Sequence, residues 1–297
     1  MEEISFEDPR TILRRHGLRA KKSWGQNFLV NRGAVEQIAR LCVDEPGRRV
    51  IEIGAGLGTL TSPLVQLGAS VTAVERDPDM CAVLRAELGG VEGFELEEAD
   101  AATFDYAGWL GDEPGVVAGN LPYHLTGKIL RRTLAEPGRL RKAVFMVQLE
   151  VARRLAAGPG EPDRSALSVM TQARCSVRIA IRLSQRSFFP PPRVRSAVVE
   201  LIPHGTPRYG ALAPGRFDQA VKAAFAARRK TLKNSLRTAW GKGADELDQV
   251  IAAAGLEPSI RAEKLENRQL LALALAADRA GLVHDETDET GEEGRPG

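Results

Sequence analysis

The stretch VIEIGAGLGT, Val50 to Thr59, decides the fold of this 297-residue chain. A strand-like apolar run, Val50 to Ile53, leads directly into three glycines spaced by one residue, Gly54, Gly56 and Gly58. Glycine permits a tight turn and lets a ligand approach the backbone closely. A strand that ends in such a loop is typical of doubly wound α/β folds, which bind nucleosides at the carboxyl end of the sheet.

Strand-like runs alternate with helical patterns on both sides of this stretch. The later runs are Ser70 to Val74, Val116 to Ala118, Ala143 to Val147, Val177 to Leu183 and Ala197 to Ile202. Asn31 and Asp77 open two of the helical patterns. The alternation predicts an α/β fold with a parallel, doubly wound sheet, which the last two runs close as an antiparallel pair.

Composition limits the classes of protein that this chain can represent. It has 43% hydrophobic and 27% charged residues, which is enough for one ordinary core and a smaller second one. No run approaches the roughly 18 apolar residues of a membrane helix, and the first residues are acidic, unlike a signal peptide. Three widely spaced cysteines indicate neither a disulfide framework nor a zinc site. We therefore expect a cytoplasmic protein without a metal.

Changes in pattern divide the chain into four segments. We expect a basic N-terminal leader (residues 1–22), an α/β domain (23–204), a helical domain (205–282) and a disordered acidic tail (283–297). The tail carries six acidic residues against one arginine and almost nothing apolar, so it cannot bury enough surface to fold. Without the tail the chain is basic.

Two clusters contain much of the positive charge. One is Arg14, Arg15, Arg19, Lys21 and Lys22, and the other is Arg228, Arg229, Lys230, Lys233 and Arg237. Such clusters indicate either a polyanionic partner or two solvated surface segments, and the charge pattern alone does not separate these alternatives.

Acidic residues follow the next two strands. Glu75 lies 21 residues after Gly54, where its carboxylate can accept hydrogen bonds from a ribose diol. A dinucleotide site shares this spacing, but its GxGxxG pattern needs glycine at position 59, which is threonine. The GxGxG loop therefore favours S-adenosylmethionine over a dinucleotide or an ordinary tight turn. Asp100, after a third strand, is placed either to accept the amine of an adenine or to cap a turn.

The tetrapeptide Asn120-Leu121-Pro122-Tyr123 follows the fourth strand, at the same edge of the sheet. An aromatic amine is a poor nucleophile because its lone pair is delocalised. Hydrogen bonds from the amine to the Asn120 side-chain oxygen and the Pro122 carbonyl would aim that lone pair at a methyl donor. In isolation the tetrapeptide is more typical of a simple proline turn. After the glycine loop and the two acidic residues, the amine-binding hypothesis is favoured.

Together these motifs resemble the ribosomal RNA adenine N6-dimethyltransferases, over nearly the whole chain. Lys22 to Leu29 is similar to the family's segment over the cofactor, and Phe188 to Val199 to its catalytic-domain closing motif. Phe225 to Leu236 is similar to the helical domain of the branch that acts on the small ribosomal subunit.

The resemblance implies a Rossmann-like class I methyltransferase fold with a small C-terminal helical domain. It implies an enzyme that uses S-adenosylmethionine to dimethylate two adjacent adenosines in the 3′-terminal hairpin loop of 16S rRNA, with a role in subunit biogenesis. The implied cofactor contacts are Asn27, Leu29, Gly54, Gly56, Glu75, Asp100 and Asn120. The residues implied to hold the amine or stack on the base are Asn120, Leu121, Pro122, Tyr123 and Phe188, with Phe189 as the alternative stacking ring. The implied RNA contacts are Arg228, Arg229, Lys230, Lys233 and Arg237.

Two alternatives stay open at this point. His124 after the tyrosine is similar to relatives that methylate 23S rRNA and confer macrolide resistance. A non-catalytic nucleic-acid-binding factor on the same scaffold is the other alternative. The intact tetrapeptide and cofactor positions favour the enzyme that acts on 16S rRNA, and we expect it to be a monomer.

Overall fold

The computed structural model describes residues 6–21, 24–121, 125–135 and 137–284, which group into two compact units. The first unit takes its described residues from 1–153 and 175–205, and the second from 154–174 and 206–297. Residues 154–174, which the sequence analysis included in the α/β domain, group with the helical unit. The reason is that Val169, Met170 and Ala173 are buried in the core of that unit.

Strands occur in the first unit. In chain order the described strands are β1 (Phe28–Leu29), β2 (Arg49–Ile53), β3 (Ser70–Glu75), β4 (Phe94–Glu98), β5 (Gly115–Asn120), β6 (Leu140–Gln148), β7 (Cys175–Leu183), β8 (Phe188–Phe189) and β9 (Ser196–Pro203). Seven of these described strands form one sheet in the order β4-β3-β2-β5-β6-β9-β7. β2 to β6 are parallel, and β9 is antiparallel to both β6 and β7. This arrangement confirms the predicted doubly wound sheet and its antiparallel closing pair.

Helices flank the strands in sequence. Those of the first part of the chain are α1 (Pro9–Arg15), α2 (Arg32–Cys42), α3 (Thr61–Gln66), α4 (Pro78–Leu88), α5 (Tyr106–Leu110), α6 (Thr126–Thr133) and α7 (Leu149–Ala156). The Asn31 side chain accepts a hydrogen bond from Ala34 N and so caps α2, while Asp77 accepts one from Asp79 N and caps α4. These caps confirm the two helix starts indicated by the sequence.

The second unit is helical. It contains α8 (Ala166–Gln172), α9 (Pro214–Ala224), α10 (Leu232–Trp240), α11 (Ala244–Ala253) and α12 (Asn267–Arg279). These helices share one apolar core that includes Phe217, Leu236 and Leu273. Arg164 is buried beside it and donates hydrogen bonds to the carbonyls of Ala157 and Leu265. Burial lowers the pKa of this guanidinium, which still carries its charge because the ordinary pKa of arginine is so high.

The order in which successive strands are added to the sheet changes direction between β2 and β5. β3 and β4 extend the sheet on one side of β2, and β5 and β6 extend it on the other. In a parallel sheet, such a reversal opens a crevice at the carboxyl ends of the two central strands. Ile53 is level with both Val74 and Gly119 in the register, so the residues that follow β2, β3 and β5 emerge side by side.

Close approach of β2 and β5 at this crevice depends on Gly119. Its φ is +151°, and a Cβ atom at this position would overlap the carbonyl oxygen of Ile53. Any other residue would therefore have to push the two strand ends apart or change its backbone conformation. Glycine here fixes the distance between the loop after β2 and the end of β5.

We expect Gly119→Ala to lower the free energy of unfolding by roughly 3 kcal/mol, because overlap with backbone cannot be relieved by a side-chain rotation. Urea unfolding followed by circular dichroism measures this change. Gly90→Ala is the matched control, because a Cβ at Gly90 meets no atom within 4 Å. Equal midpoints for the two variants would contradict the assigned constraint.

Candidate cofactor and active site

A cavity of about 890 Å³ lies at the carboxyl ends of the parallel strands of the first unit. Its volume is in the range of small-molecule sites. Leu121 and all seven residues that the sequence analysis assigned to the cofactor line it: Asn27, Leu29, Gly54, Gly56, Glu75, Asp100 and Asn120. Pro122 and Tyr123, which the analysis assigned to the target base, lie outside the described residues, as does His124.

Glu75 organises the loop on one side of this cavity. Its Oε2 accepts a hydrogen bond from Gly56 N at 2.9 Å, and its Oε1 accepts from Arg76 N at 2.8 Å and Asp77 N at 2.9 Å. A carboxylate offers about four acceptor positions, so one is left for a ligand hydroxyl. Thr59 Oγ1, also in the cavity wall, is buried without a hydrogen-bond partner among the described residues. A polar ligand such as a nucleoside fits these groups.

Asp100 caps a turn, which is one of the two roles that the sequence left open. Its Oδ1 accepts a hydrogen bond from Ala102 N at 2.8 Å, which caps a turn, and its Oδ2 accepts from Arg76 Nη1 at 3.0 Å. The bond from Ala102 and the positive charges of Arg76 and Lys128 lower the pKa of Asp100. The group is therefore a carboxylate at neutral pH, and it retains acceptor positions toward the cavity.

Arg76 and Trp24 are cavity residues that the sequence analysis did not single out. The guanidinium carbon of Arg76 lies 4.9 Å from the centroid of the Trp24 ring, a distance typical of a cation–π contact. Trp24 lies within the segment Lys22 to Leu29 and Arg76 directly follows Glu75, so their contact joins distant parts of the chain. No spacing rule could have indicated it.

Asp77 ties the segment before β1 to the turn after β3. Lys21 Nζ lies 2.7 Å from its Oδ1, and Gln26 Nε2 donates to its Oδ2 at 2.7 Å. Asp77 is buried, and its own N–H donates to Glu75. One carboxylate therefore holds the residues that lead into Asn27 and β1 against the cofactor edge.

The side chain of Asn120 has a defined orientation. Its Nδ2 donates a hydrogen bond of 3.1 Å to the backbone carbonyl of Asn27. Only the NH₂ end of the amide can donate to a carbonyl, so the Oδ1 atom must be the end that is left to accept another hydrogen bond. An acceptor oxygen at the end of β5, beside the cofactor loop, is what the amine-binding hypothesis requires.

Glu52 is a further cavity residue that the sequence analysis did not assign. It interrupts the apolar run of β2, is buried, and accepts a hydrogen bond of 2.6 Å from Thr61 Oγ1. Burial, together with the negative charge of Glu75, raises its pKa from the ordinary 4.5 to about 8. The sequence does contain a signal for this residue, because an acidic side chain is unusual in an apolar strand that is buried on both faces.

The two candidate stacking rings differ in exposure. Phe188 is 4% exposed and packs in an apolar cluster with Leu29 and Met146, whereas Phe189 is 37% exposed. β8, which contains both, pairs with β1 through Leu29 and Phe28. Phe189 is therefore the more accessible of the two candidate stacking residues in this conformation.

The structure separates the predicted basic clusters into paired and unpaired residues. Lys233 Nζ lies 2.6 Å from Asp248 Oδ2, and Arg228 donates to the carbonyl of Pro162, both within the helical unit. The remaining members of that cluster, Arg229, Lys230 and Arg237, are exposed and have no ion pair with any described residue.

The N-terminal cluster has acidic partners. Arg15 pairs with Glu7 and Glu87, and Lys21 with Asp77 and Asp79. For Arg15 and Lys21, these ion pairs favour a structural role over the binding of a polyanion. Lys22 lies outside the described residues.

The described residues contain neither a metal-binding cluster nor a membrane-spanning helix. In that part of the chain, no group of three or more histidine, cysteine, aspartate or glutamate side chains is placed to hold a metal ion. No described helix is long and apolar enough to cross a membrane.

Comparison with known proteins gives a consistent result. The family model described as ribosomal RNA adenine dimethylase matches residues 17–278. The ribosomal RNA small subunit methyltransferase A of Myxococcus xanthus is 46% identical over 91% of this chain and 95% of that relative. The protein of the same name from Pseudomonas fluorescens is 38% identical over 86% of this chain and 93% of the relative.

Solved structures are similar in fold. The 23S rRNA methyltransferase ErmE has a TM-score of 0.66 and 28% identity, over 85% of this chain and all of that structure. A dimethyladenosine transferase from Plasmodium falciparum has a TM-score of 0.72 and 24% identity, over 86% of this chain and 98% of the other.

The raised pKa of Glu52 predicts how stability depends on pH. The unfolded chain ionises this carboxyl above about pH 4.5, but the folded protein keeps it protonated to about pH 8. Folding therefore takes up a proton within this range, and stability falls as the pH rises from 4.5 to 8. Glu52→Gln removes this cost and still offers Thr61 an acceptor oxygen.

We expect Glu52→Gln to raise the thermal midpoint by about 5 °C or more at pH 8 and by much less at pH 5. Thermal unfolding followed by circular dichroism at both pH values is the measurement. Glu92→Gln removes an exposed carboxylate and serves as the control. A midpoint difference for Glu52→Gln that is the same at both pH values would rule out the protonated carboxyl.

Proposed function

The chain belongs to the ribosomal RNA adenine dimethylase family, and from this premise we propose that it dimethylates two adjacent adenosines of the 3′-terminal hairpin loop of 16S rRNA. It is an S-adenosylmethionine-dependent rRNA adenine N6-dimethyltransferase. When bound, S-adenosylmethionine supplies an electrophilic methyl group on a sulfonium. A role of the reaction in small-subunit biogenesis is part of the proposal.

The observation that carries the proposal is the fixed amide of Asn120 at the cavity edge. Its NH₂ end is held by the Asn27 carbonyl, so its oxygen is left to accept an N–H of the adenine amine. We assign the second acceptor to the backbone carbonyl of Pro122, on sequence grounds. Two such acceptors draw the nitrogen toward a tetrahedral shape and direct its lone pair.

The same arrangement needs no strong general base. Alkylation of the amine makes its N–H acidic, so the proton can leave to solvent after the transfer. The residues of this chain therefore act by position and by their partial charges, which is a common source of rate enhancement in enzymes. Tyr123 and one of the phenylalanines, Phe188 or Phe189, are assigned to stacking on the base, a contact worth about 1–3 kcal/mol.

The cofactor contacts follow from the cavity wall. We assign the ribose to Glu75, the adenine amine to Asp100, and the remaining contacts to Asn27, Leu29, Gly54 and Gly56. Glu75 and Asp100 both retain free acceptor positions, which supports these roles.

We assign RNA binding in the helical unit to Arg228, Arg229, Lys230, Lys233 and Arg237. Arg229, Lys230 and Arg237 are exposed and have no ion pair within the described part of the chain, which supports the assignment for those three. Arg228 and Lys233 would have to give up their present partners first. We propose that the first unit provides catalysis, that the helical unit provides RNA binding, and that the protein acts as a cytoplasmic monomer.

The 23S rRNA methyltransferase activity is the second candidate. Similarity to a 23S rRNA methyltransferase, at 28% identity, supports it. Identities of 46% and 38% to small subunit methyltransferases favour the 16S assignment.

We expect the protein to transfer tritium from labelled S-adenosylmethionine to under-methylated 30S subunits, with N6,N6-dimethyladenosine as the labelled nucleoside. Protein-free 23S rRNA, assayed in parallel, is expected to stay unlabelled. Label found only in the 23S RNA would move the assignment to the second candidate. Binding of RNA without label in either would indicate the non-catalytic factor.

We expect Asn120→Ala to reduce methyl transfer by about 10² to 10³-fold, comparable to the loss of one positioned hydrogen-bonding group in other enzymes. Single-turnover transfer to 30S subunits gives the rate, and filter binding gives the affinity for the same particles. RNA affinity near that of the unmodified protein is the internal control. An equal loss of rate and affinity would mean that Asn120 supports the fold rather than the reaction.

A further inference from the structure

The segment between β7 and β9, residues 184–195, is positively charged. We call it the arginine loop, because it contains Arg186, Arg193 and Arg195 and no acidic residue. All three side chains are exposed, and none forms an ion pair with a described residue. Its net charge of +3 is therefore not neutralised locally.

Several other basic residues of the first unit have acidic partners. Arg178, on the neighbouring strand β7, pairs with Glu200 at 2.6 Å. Arg15 and Lys21 likewise have acidic partners. The arginine loop has no such carboxylate beside its arginines among the described residues, so its charges are available to a partner.

The arginine loop forms part of the cavity wall. Pro190 to Val194 line the cavity, so Arg193 lies in the cavity wall, and Arg186 and Arg195 belong to the same loop. Lys128 is also exposed and acts electrostatically on Asp100, which adds a further positive charge close to the cavity. A polyanion that reached the cavity would meet this field first.

The loop is held in a fixed position along its length. β8 pairs with β1 at its centre, and Gln185 Nε2 donates a hydrogen bond of 2.7 Å to the carbonyl of Arg193. The carbonyl of Arg195 accepts a hydrogen bond of 2.9 Å from Leu149 N. Rigid presentation of charges reduces the entropy lost when a partner binds.

Apolar side chains are exposed between the arginines. Phe189 is 37% and Val194 is 39% exposed. Positive charges interleaved with an exposed aromatic ring are typical of surfaces that bind single-stranded RNA, where arginines meet phosphates and rings stack on bases. A surface for an acidic protein would not need the exposed ring.

We propose that the arginine loop binds the RNA backbone on either side of the adenosine that enters the cavity. Contacts to phosphates set the position of a strand, while the cavity selects the base. This surface lies on the catalytic unit itself and is separate from the basic cluster assigned in the helical unit. The inference rests on the proposed function, since it takes the substrate to be RNA.

The test compares two double variants that remove the same charge. Arg186→Gln/Arg195→Gln changes the arginine loop, and Arg40→Gln/Arg139→Gln changes two exposed arginines elsewhere in the first unit. A fluorescent single-stranded RNA of mixed sequence is titrated with each full-length protein at several salt concentrations. Affinity for S-adenosylmethionine is measured in parallel and should be equal in all proteins.

We expect the arginine-loop variant to bind the RNA on the order of tenfold more weakly at 0.15 M salt, and its log–log salt slope to fall by about 1.4. The control variant should retain the slope of the unmodified protein. Equal slopes for both variants, or no RNA binding by the unmodified protein, would overturn the inference.

The same titration separates this inference from the proposed function. RNA binding is measured without methyl transfer. If the protein labels no RNA but the arginine-loop variant shows the expected loss of slope, the RNA-binding surface is supported and the proposed function is contradicted. If the protein methylates 30S subunits but the two variants have the same salt slope, the proposed function is supported and the RNA-binding surface is contradicted.

Discussion

One carboxylate determines the shape of the cofactor edge. Glu75 ends β3 and accepts hydrogen bonds from three backbone N–H groups, of which one belongs to the glycine loop after β2 and two to the turn that follows β3. Charge-assisted hydrogen bonds of this kind are stronger than neutral ones, and burial increases the cost of losing them. The loop, the turn and the strand therefore hold their relative positions before any ligand arrives. Around this point, Asp100 and Asn120 are brought to the same edge by the parallel register.

Much of this arrangement could be predicted from the sequence, because most of the predicted cofactor residues follow strands of one parallel sheet. The glycine loop follows the run Val50 to Ile53, and Asn120 follows the run Val116 to Ala118. Once the strands are parallel, their carboxyl ends share an edge. For this reason Gly54, Gly56, Glu75, Asp100 and Asn120 line one cavity, whereas Asn27 and Leu29, which precede the sheet, were implied by the family resemblance. The family and the fold, confirmed by the matches, add to this reasoning without replacing it.

The parts that escaped prediction depend on contacts between distant positions. A basic cluster looks the same in sequence whether its side chains are free, like Arg229, or paired with distant acids, like Lys21. The contact between Arg76 and Trp24 has no spacing signature. Exposure alternates between neighbouring residues of a short strand, so the sequence could not show that Phe188 is buried and Phe189 exposed. Likewise, residues 154–174 directly follow residues of the first unit in the sequence. Their apolar side chains are nevertheless buried in the core of the helical unit.

The pairing of Lys21 and Gln26 with Asp77 has a thermodynamic consequence. These bonds immobilise the segment that carries Asn27, and the Asn27 carbonyl in turn fixes the amide of Asn120. Cofactor pocket and amine acceptor are thus ordered by a single set of contacts that forms during folding. Because these contacts already order the segment in the folded protein, little conformational entropy is left to be lost there when a ligand binds against it.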